Sequence, residues 1–157
     1  MHRTQSRHCR AAGLAASAAL VLCTWAAGWP AQAAEPGLAI SHPWMRAVMT
    51  ARPAAGYFTL SNHAARAATL VGASSPGCGM LMLHRSVHEN GKEKMVMVKS
   101  IAVPAHGAVE FAPGGYHLMC MSPSAAVTPG RQVTVTLRFG DGGSLTASFP
   151  VRGATGK

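Results

Sequence analysis

Acidic residues are scarce in this sequence: 5 Asp and Glu stand among 157 residues, against 14 Lys and Arg. Glu89, Glu93 and Glu110 are isolated from one another, so the paired carboxylates of acid–base hydrolysis are missing. No Ser-His-acid set and no CxxC motif are present, which leaves neither a serine-hydrolase nor a thiol-oxidoreductase reading. An enzyme is therefore not expected. Charged residues of either sign make up only 12% of the chain while 48% is hydrophobic, which excludes a disordered polyelectrolyte. The basic excess is scattered, with no run longer than Lys92-Glu93-Lys94, so no nucleic-acid interface is expected. Such charge licenses only a nonspecific attraction to acidic partners or membrane surfaces. Long helices are disfavoured by 17 Gly and 10 Pro spread along the chain, and no internal repeat appears. At this length a single domain is expected, with no room for separate cofactor and substrate domains.

The N-terminus reads as a targeting segment. Arg3, Arg7 and Arg10 precede an apolar run from Ala11 to Ala27, Trp29-Pro30 breaks it, and Ala31-Gln32-Ala33 offers small residues for cleavage. Basic start, short apolar stretch and A-x-A form a secretory signal peptide over residues 1–33. The run is at the bottom of the length needed to span a bilayer, so no stable membrane insertion is expected after cleavage. Cys23 does not fit a lipidation site, because bulky Leu22 stands where a small residue is needed. Residues 34–157 then form one exported domain, expected in the periplasm, and the chain is long enough to build one core. Export makes Cys78 and Cys120 candidates for a disulfide. Nothing in the sequence brings their Cα atoms within the ~4.4–6.8 Å that a bridge needs, so the sequence favours free thiols.

The mature region reads as short strands punctuated by turns. Val133, Val135, Leu137 and Phe139 alternate with Thr134, Thr136 and Arg138, and after Gly140-Asp141-Gly142-Gly143 the pattern repeats with Leu145, Ala147, Phe149 and Val151. That is a hairpin with one buried face. Met80–His88 and Glu93–Val98 flank Asn90-Gly91, a strong hairpin turn signal. Ala108–Phe111 and Tyr116–Met121, around Pro113-Gly114-Gly115, suggest another pair, and Tyr57–Ser61 a further strand. Between Asn62 and Thr69 the alanines leave a short helix or a turn open. The fold class expected is all-β, an antiparallel Greek-key β-sandwich.

Strand parity then exposes the chemistry. His117, Met119 and Met121 share a face, opposite Leu118 and Cys120; Met80, Met82, His84, Ser86 and His88 share a face, opposite Leu81, Leu83 and Val87. If Asn90-Gly91 is a two-residue turn, Ser86 faces Met95 and His84 faces Met97, so His84 and Met95 are diagonal neighbours. Methionine in a strand usually fills a core. Here the leucines and valines of opposite parity already supply the core, which leaves the thioethers and imidazoles without a packing role. Soft sulfur with imidazole selects Cu(I), whereas zinc favours thiolate, imidazole or carboxylate.

The spacing of His84, Met95, His117 and Met119, H-x10-M-x21-H-x-M, resembles the signature of the periplasmic Cu(A) chaperone family, PCuAC. Trp44-Met45-Arg46-Ala47, Ala55-Gly56-Tyr57-Phe58, Leu70–Pro76 and Gly114–Met119 are similar as well, so the likeness runs over about residues 38–151. The resemblance implies a cupredoxin-like β-sandwich whose His84, Met95, His117 and Met119 hold one exposed Cu(I). It also implies delivery toward the Cu(A) centre of cytochrome c oxidase, often alongside Sco-type proteins. The C-terminal Arg152–Lys157 lacks His and Met, so a tail site found in many relatives is not expected. Met80, Met82, Met97 and Met121 are read as a greasy rim packed against neighbours, and Trp44 as a core anchor. His42, His63, His88 and His106 read as surface residues. Rival readings are an exported zinc-binding or copper-storage module, a blue-copper carrier or a purely structural β-sandwich. Blue copper is disfavoured because no histidine follows Cys120 and its parity opposes His117.

Overall fold

The computed structural model describes residues 37–49 and 52–156; the proposed signal peptide, residues 1–33, lies outside them. The alternating segments become ten strands: β1 (Leu38–Arg46), β2 (Ala54–Asn62), β3 (Ala68–Ser74), β4 (Cys78–Glu89), β5 (Lys92–Met97), β6 (Ile101–Val103), β7 (Ala108–Phe111), β8 (Tyr116–Pro123), β9 (Gln132–Phe139) and β10 (Ser144–Arg152). Among the described residues no helix forms. The strands bond in the order β5-β4-β8-β7-β2-β1-β10-β9-β3-β6, with a further β8–β2 pairing. The ladders are antiparallel apart from β1–β10 and β7–β8, which run parallel. Leu81 and Leu83 of β4, Leu118 and Cys120 of β8, and Val133, Val135, Leu137 and Phe139 of β9 enter one core with Phe58, Phe111 and Phe149. The molecule is an all-β sandwich in which long-range strand pairs, not local turns, set most of the neighbours.

Two hairpins follow from local sequence. In the β9–β10 hairpin, Leu145 faces Leu137 and Phe149 faces Val133, so the inward residues of each strand stack across the ladder. Asn90 and Gly91 both have positive φ, 52° and 73°, the backbone of a primed two-residue turn whose twist matches its strands. The resulting register sets Ser86 opposite Met95 and His84 opposite Met97, as a two-residue turn requires.

Elsewhere the structure departs from the local reading. Of the short helix and the turn left open after Asn62, the structure takes the turn. Asn62 is buried; its Nδ2 donates to the carbonyls of Arg66 (2.8 Å) and Val103 (3.3 Å), and its Oδ1 accepts from the Ala64 amide (3.0 Å). A side chain that satisfies the backbone in this way outcompetes the start of a helix. The β7 and β8 segments do not form a hairpin: β7 pairs antiparallel with β2 and touches β8 only in the parallel bridge Phe111–Tyr116. The principal partner of β8 is β4. Trp44 is absent from the core, because its neighbour Met45, fully buried on the opposite face of β1, takes that place.

The cysteines are a further correction. Cys78 and Cys120 are bridged, with Cα atoms 5.4 Å apart. Antiparallel pairing of β4 with β8 brings together residues separated by 42 positions, a proximity that no local pattern encodes. Ser122, near this end of β4, has φ 47°, while the register from Met80–Met121 to Cys78–Pro123 is unbroken. The Cys120 side chain does point into the core, fully buried.

Candidate metal centre

β4 and β8 are locked in register by their buried side: Leu81 faces Cys120 and Leu83 faces Leu118. The same ladder aligns the opposite side as three rungs, Met80 with Met121, Met82 with Met119, and His84 with His117. The apolar core therefore dictates where the imidazoles and thioethers meet. β2 closes the arrangement, with Ala55 facing Met119 and Gly56 facing Leu118. A Cβ at Gly56 would come within 3.2 Å of the Leu118 Cβ, so glycine is what lets β2 lie this close to the histidine-bearing strand.

The ring centroids of His84 and His117 are 5.8 Å apart, inclined at 62°. His117 Nδ1 lies 3.2 Å from the Gly115 carbonyl, and donation there places the proton on Nδ1 and leaves the Nε2 lone pair free. His117 Nε2 and His84 Nδ1 are both buried and without a hydrogen-bond partner. Two such atoms side by side are costly in a folded protein unless something else uses them. Burial, and secondarily the nearby His117, lower the His84 pKa, which keeps its ring neutral and its lone pair available near neutral pH.

Beside this pair opens a cleft of about 800 Å³ lined by His117, Met119 and Met95 together with Tyr57, Arg46, Arg52 and Ser86. His84 is outside the lining and joins the group through its contact with His117. Met95 is 59% exposed, whereas His117 is only 4% exposed, so the site runs from a buried imidazole to an exposed thioether on the hairpin. That is deeper at one end than the surface site the sequence suggests. Met97 faces His84 in the ladder yet borders a separate groove with Met82, Val98 and Arg138. The four predicted donors are thus gathered in one region. Among the described residues no three His, Cys, Asp or Glu side chains cluster for a metal; the soft donors that line the cleft with His117 are the thioethers of Met95 and Met119.

An aromatic and cationic wall backs the site; its Tyr57, Arg46 and Arg152 have no role expected from the sequence, and its Trp44 is expected in the core instead. Tyr57 stands 6.5 Å from His117 and 4.8 Å from Trp44, ring to ring. Arg46 donates to the Tyr57 hydroxyl at 2.8 Å and lies over its ring, and Arg152 lies over Trp44. Burial raises the Tyr57 pKa, with the Arg46 charge and hydrogen bond opposing it, which favours the neutral phenol. Parity in β2, which sets Tyr57 on the face of Ala55, was the available signal. His42, His63, His88 and His106 are all exposed, as expected for surface residues.

Comparison with known proteins places these features in context. Residues 38–151 match the family model described as "Putative lipoprotein LpqE-like". The chain is 35% identical over 133 residues to "Putative lipoprotein Lxx21020" of Leifsonia xyli subsp. xyli, covering 81% of this chain and 80% of that one. Among solved structures, the copper-bound PCuAC domain from PmoF2 is similar at 26% identity and TM-score 0.62, over 78% of this chain and 98% of that one. The solution structure of CuI-DR1885 from Deinococcus radiodurans is similar at 29% identity and TM-score 0.57, over 76% and 80% of the two chains.

Proposed function

The chain belongs to the LpqE-like family, and from that membership and its His/Met cluster we propose that it is an exported copper chaperone. It carries one Cu(I) on His84, Met95, His117 and Met119. The observation that supports this most is the adjacent pair of buried imidazole nitrogens, His84 Nδ1 and His117 Nε2, without protein partners. Cu(I) is soft and takes both imidazole and thioether. Copper-bound structures of the similar PmoF2 domain and of DR1885 support the choice of metal.

The protein is a carrier, not a catalyst. Four neutral donors leave the ion with its own charge of +1, which is costly to bury completely, and the exposed end of the site at Met95 meets that requirement. An incoming thiolate or imidazole can replace the ligands one at a time from the cleft, with direction set by relative affinity. The acceptor in this reading is the Cu(A) subunit of cytochrome c oxidase or a Sco-type protein, and the compartment is the periplasm. The exported chain should then begin at Ala34; N-terminal sequencing that finds Met1 retained, or a chain starting at Cys23, would exclude that processing.

The decisive experiment is competition for Cu(I) with a chromophoric chelator under anaerobic conditions. The double variant His117→Ala/Met119→Ala should lose more than ~100-fold in affinity, beyond the ~10–100-fold typical of losing a ligand's outer support, with an unchanged far-ultraviolet dichroism spectrum. Met95→Leu should weaken binding and Met97→Leu should not, because only Met95 shares the cleft with His117 and Met119. Unchanged affinity in the double variant would refute the ligand assignment.

A further inference from the structure

The thioethers left over by this assignment are not scattered. Met80 and Met121 face each other across the β4–β8 ladder, and the next rung on the same side is Met82 with Met119. Rungs on one side are roughly 7 Å apart along the strands, and facing Cβ atoms about 4.5–5.5 Å apart, so flexible thioethers from adjacent rungs can converge. A greasy rim would have these side chains packed. Met80 is instead 57% exposed and Met121 38% exposed. Elsewhere the protein puts ordinary polar residues on outward strand positions: Thr134 and Arg138 on β9, Thr146 and Ser148 on β10. Of the seven exposed large hydrophobics among the described residues, five are methionines: Met49, Met80, Met95, Met97 and Met121. Exposing apolar side chains in facing positions forfeits the gain of burial and returns nothing in packing.

We propose that Met80, Met82 and Met121 form a second, all-thioether site for a soft monovalent ion, one or two rungs along the ladder from the His84–His117 pair. Three neutral sulfurs suit Cu(I) or Ag(I) and have little affinity for hard divalent cations. The site uses none of the four donors already assigned. It relies on the chaperone reading only for the identity of the cargo. Met82 of this site faces Met119 of the first across the ladder, so an ion captured at Met80 and Met121 moves toward the imidazoles by exchanging one thioether at a time.

Methionine methyl groups labelled with carbon-13 report on each centre separately during Ag(I) titration of the processed, disulfide-bonded protein. The wild type should take up two equivalents, the first shifting the Met95 and Met119 methyls and the second those of Met80 and Met121. Met80→Leu/Met121→Leu, at exposed positions where the fold is not at stake, should take up one equivalent with the first-site shifts intact. His84→Ala/His117→Ala should lose the first-site response while Met80 and Met121 still shift. Methyls of Met80 and Met121 that stay unmoved at excess Ag(I), or two equivalents retained by the leucine variant, would overturn the second site. Neither result would touch the first, whose failure shows only in the Met95 and Met119 signals.

Discussion

In the proposed site His84 carries two demands on a single ring. It must sit deep enough beside His117 for Nδ1 to be withdrawn from water, and it must stay unprotonated to offer that nitrogen to a metal. Burial answers both, since desolvation disfavours the imidazolium, and the neighbouring His117 acts in the same direction. The stability consequence has a definite sign. Between the lowered folded-state pKa and the ordinary value near 6.5, the unfolded chain binds the proton that the folded chain refuses. Stability of the metal-free protein therefore rises with pH across that window and levels off above it. Urea midpoints should be lower at pH 5 than at pH 7, and His84→Gln should narrow the gap. An identical gap in the variant would mean that the pH dependence arises from other residues.

The β4–β8 pair holds a disulfide toward the core and the His and Met rungs on the opposite side. Closing a separation of 42 residues removes loop entropy from the unfolded chain worth about 4 kcal/mol in the simplest treatment. Cys78→Ala/Cys120→Val should lower the unfolding free energy by about 2–4 kcal/mol by urea titration while Cu(I) affinity changes little, because Cys120 faces away from the rungs. A large loss of affinity with little loss of stability would reverse that division of labour. The contrast between this pair of strands and its bridge shows what could be read in advance. Parity within β4 and β8, and the register across Asn90-Gly91, are local, and the register they imply, Ser86 opposite Met95 and His84 opposite Met97, is the one the ladder has. Which strand lies beside β8 is not local. The bridge, the separation of β7 from β8 and the arrival of β2 with Tyr57 all depend on pairings between distant segments, to which a hydrophobic period is blind.

At the scale of the whole molecule, the sandwich fixes the imidazoles on its rigid interior and leaves the rest of the site on the margin. His117 belongs to β8, flanked by β4 and β2 and backed by fully buried Leu118. Met95 is carried on β5, which ends the strand order and, among the described residues, pairs only with β4. Local opening is cheapest at such an edge. A metal held across this gradient has one donor that can swing away without disturbing the core, beside a cleft wide enough for an incoming ligand. Copper should then leave by substitution, not by free dissociation. In stopped-flow transfer to a stronger cuprous chelator, the observed rate should climb in proportion to chelator concentration, and Met95→Leu should raise it further. A rate that saturates at low chelator concentration would mean that the ion must first escape unaided, and that the exposed end of the site takes no part in exchange.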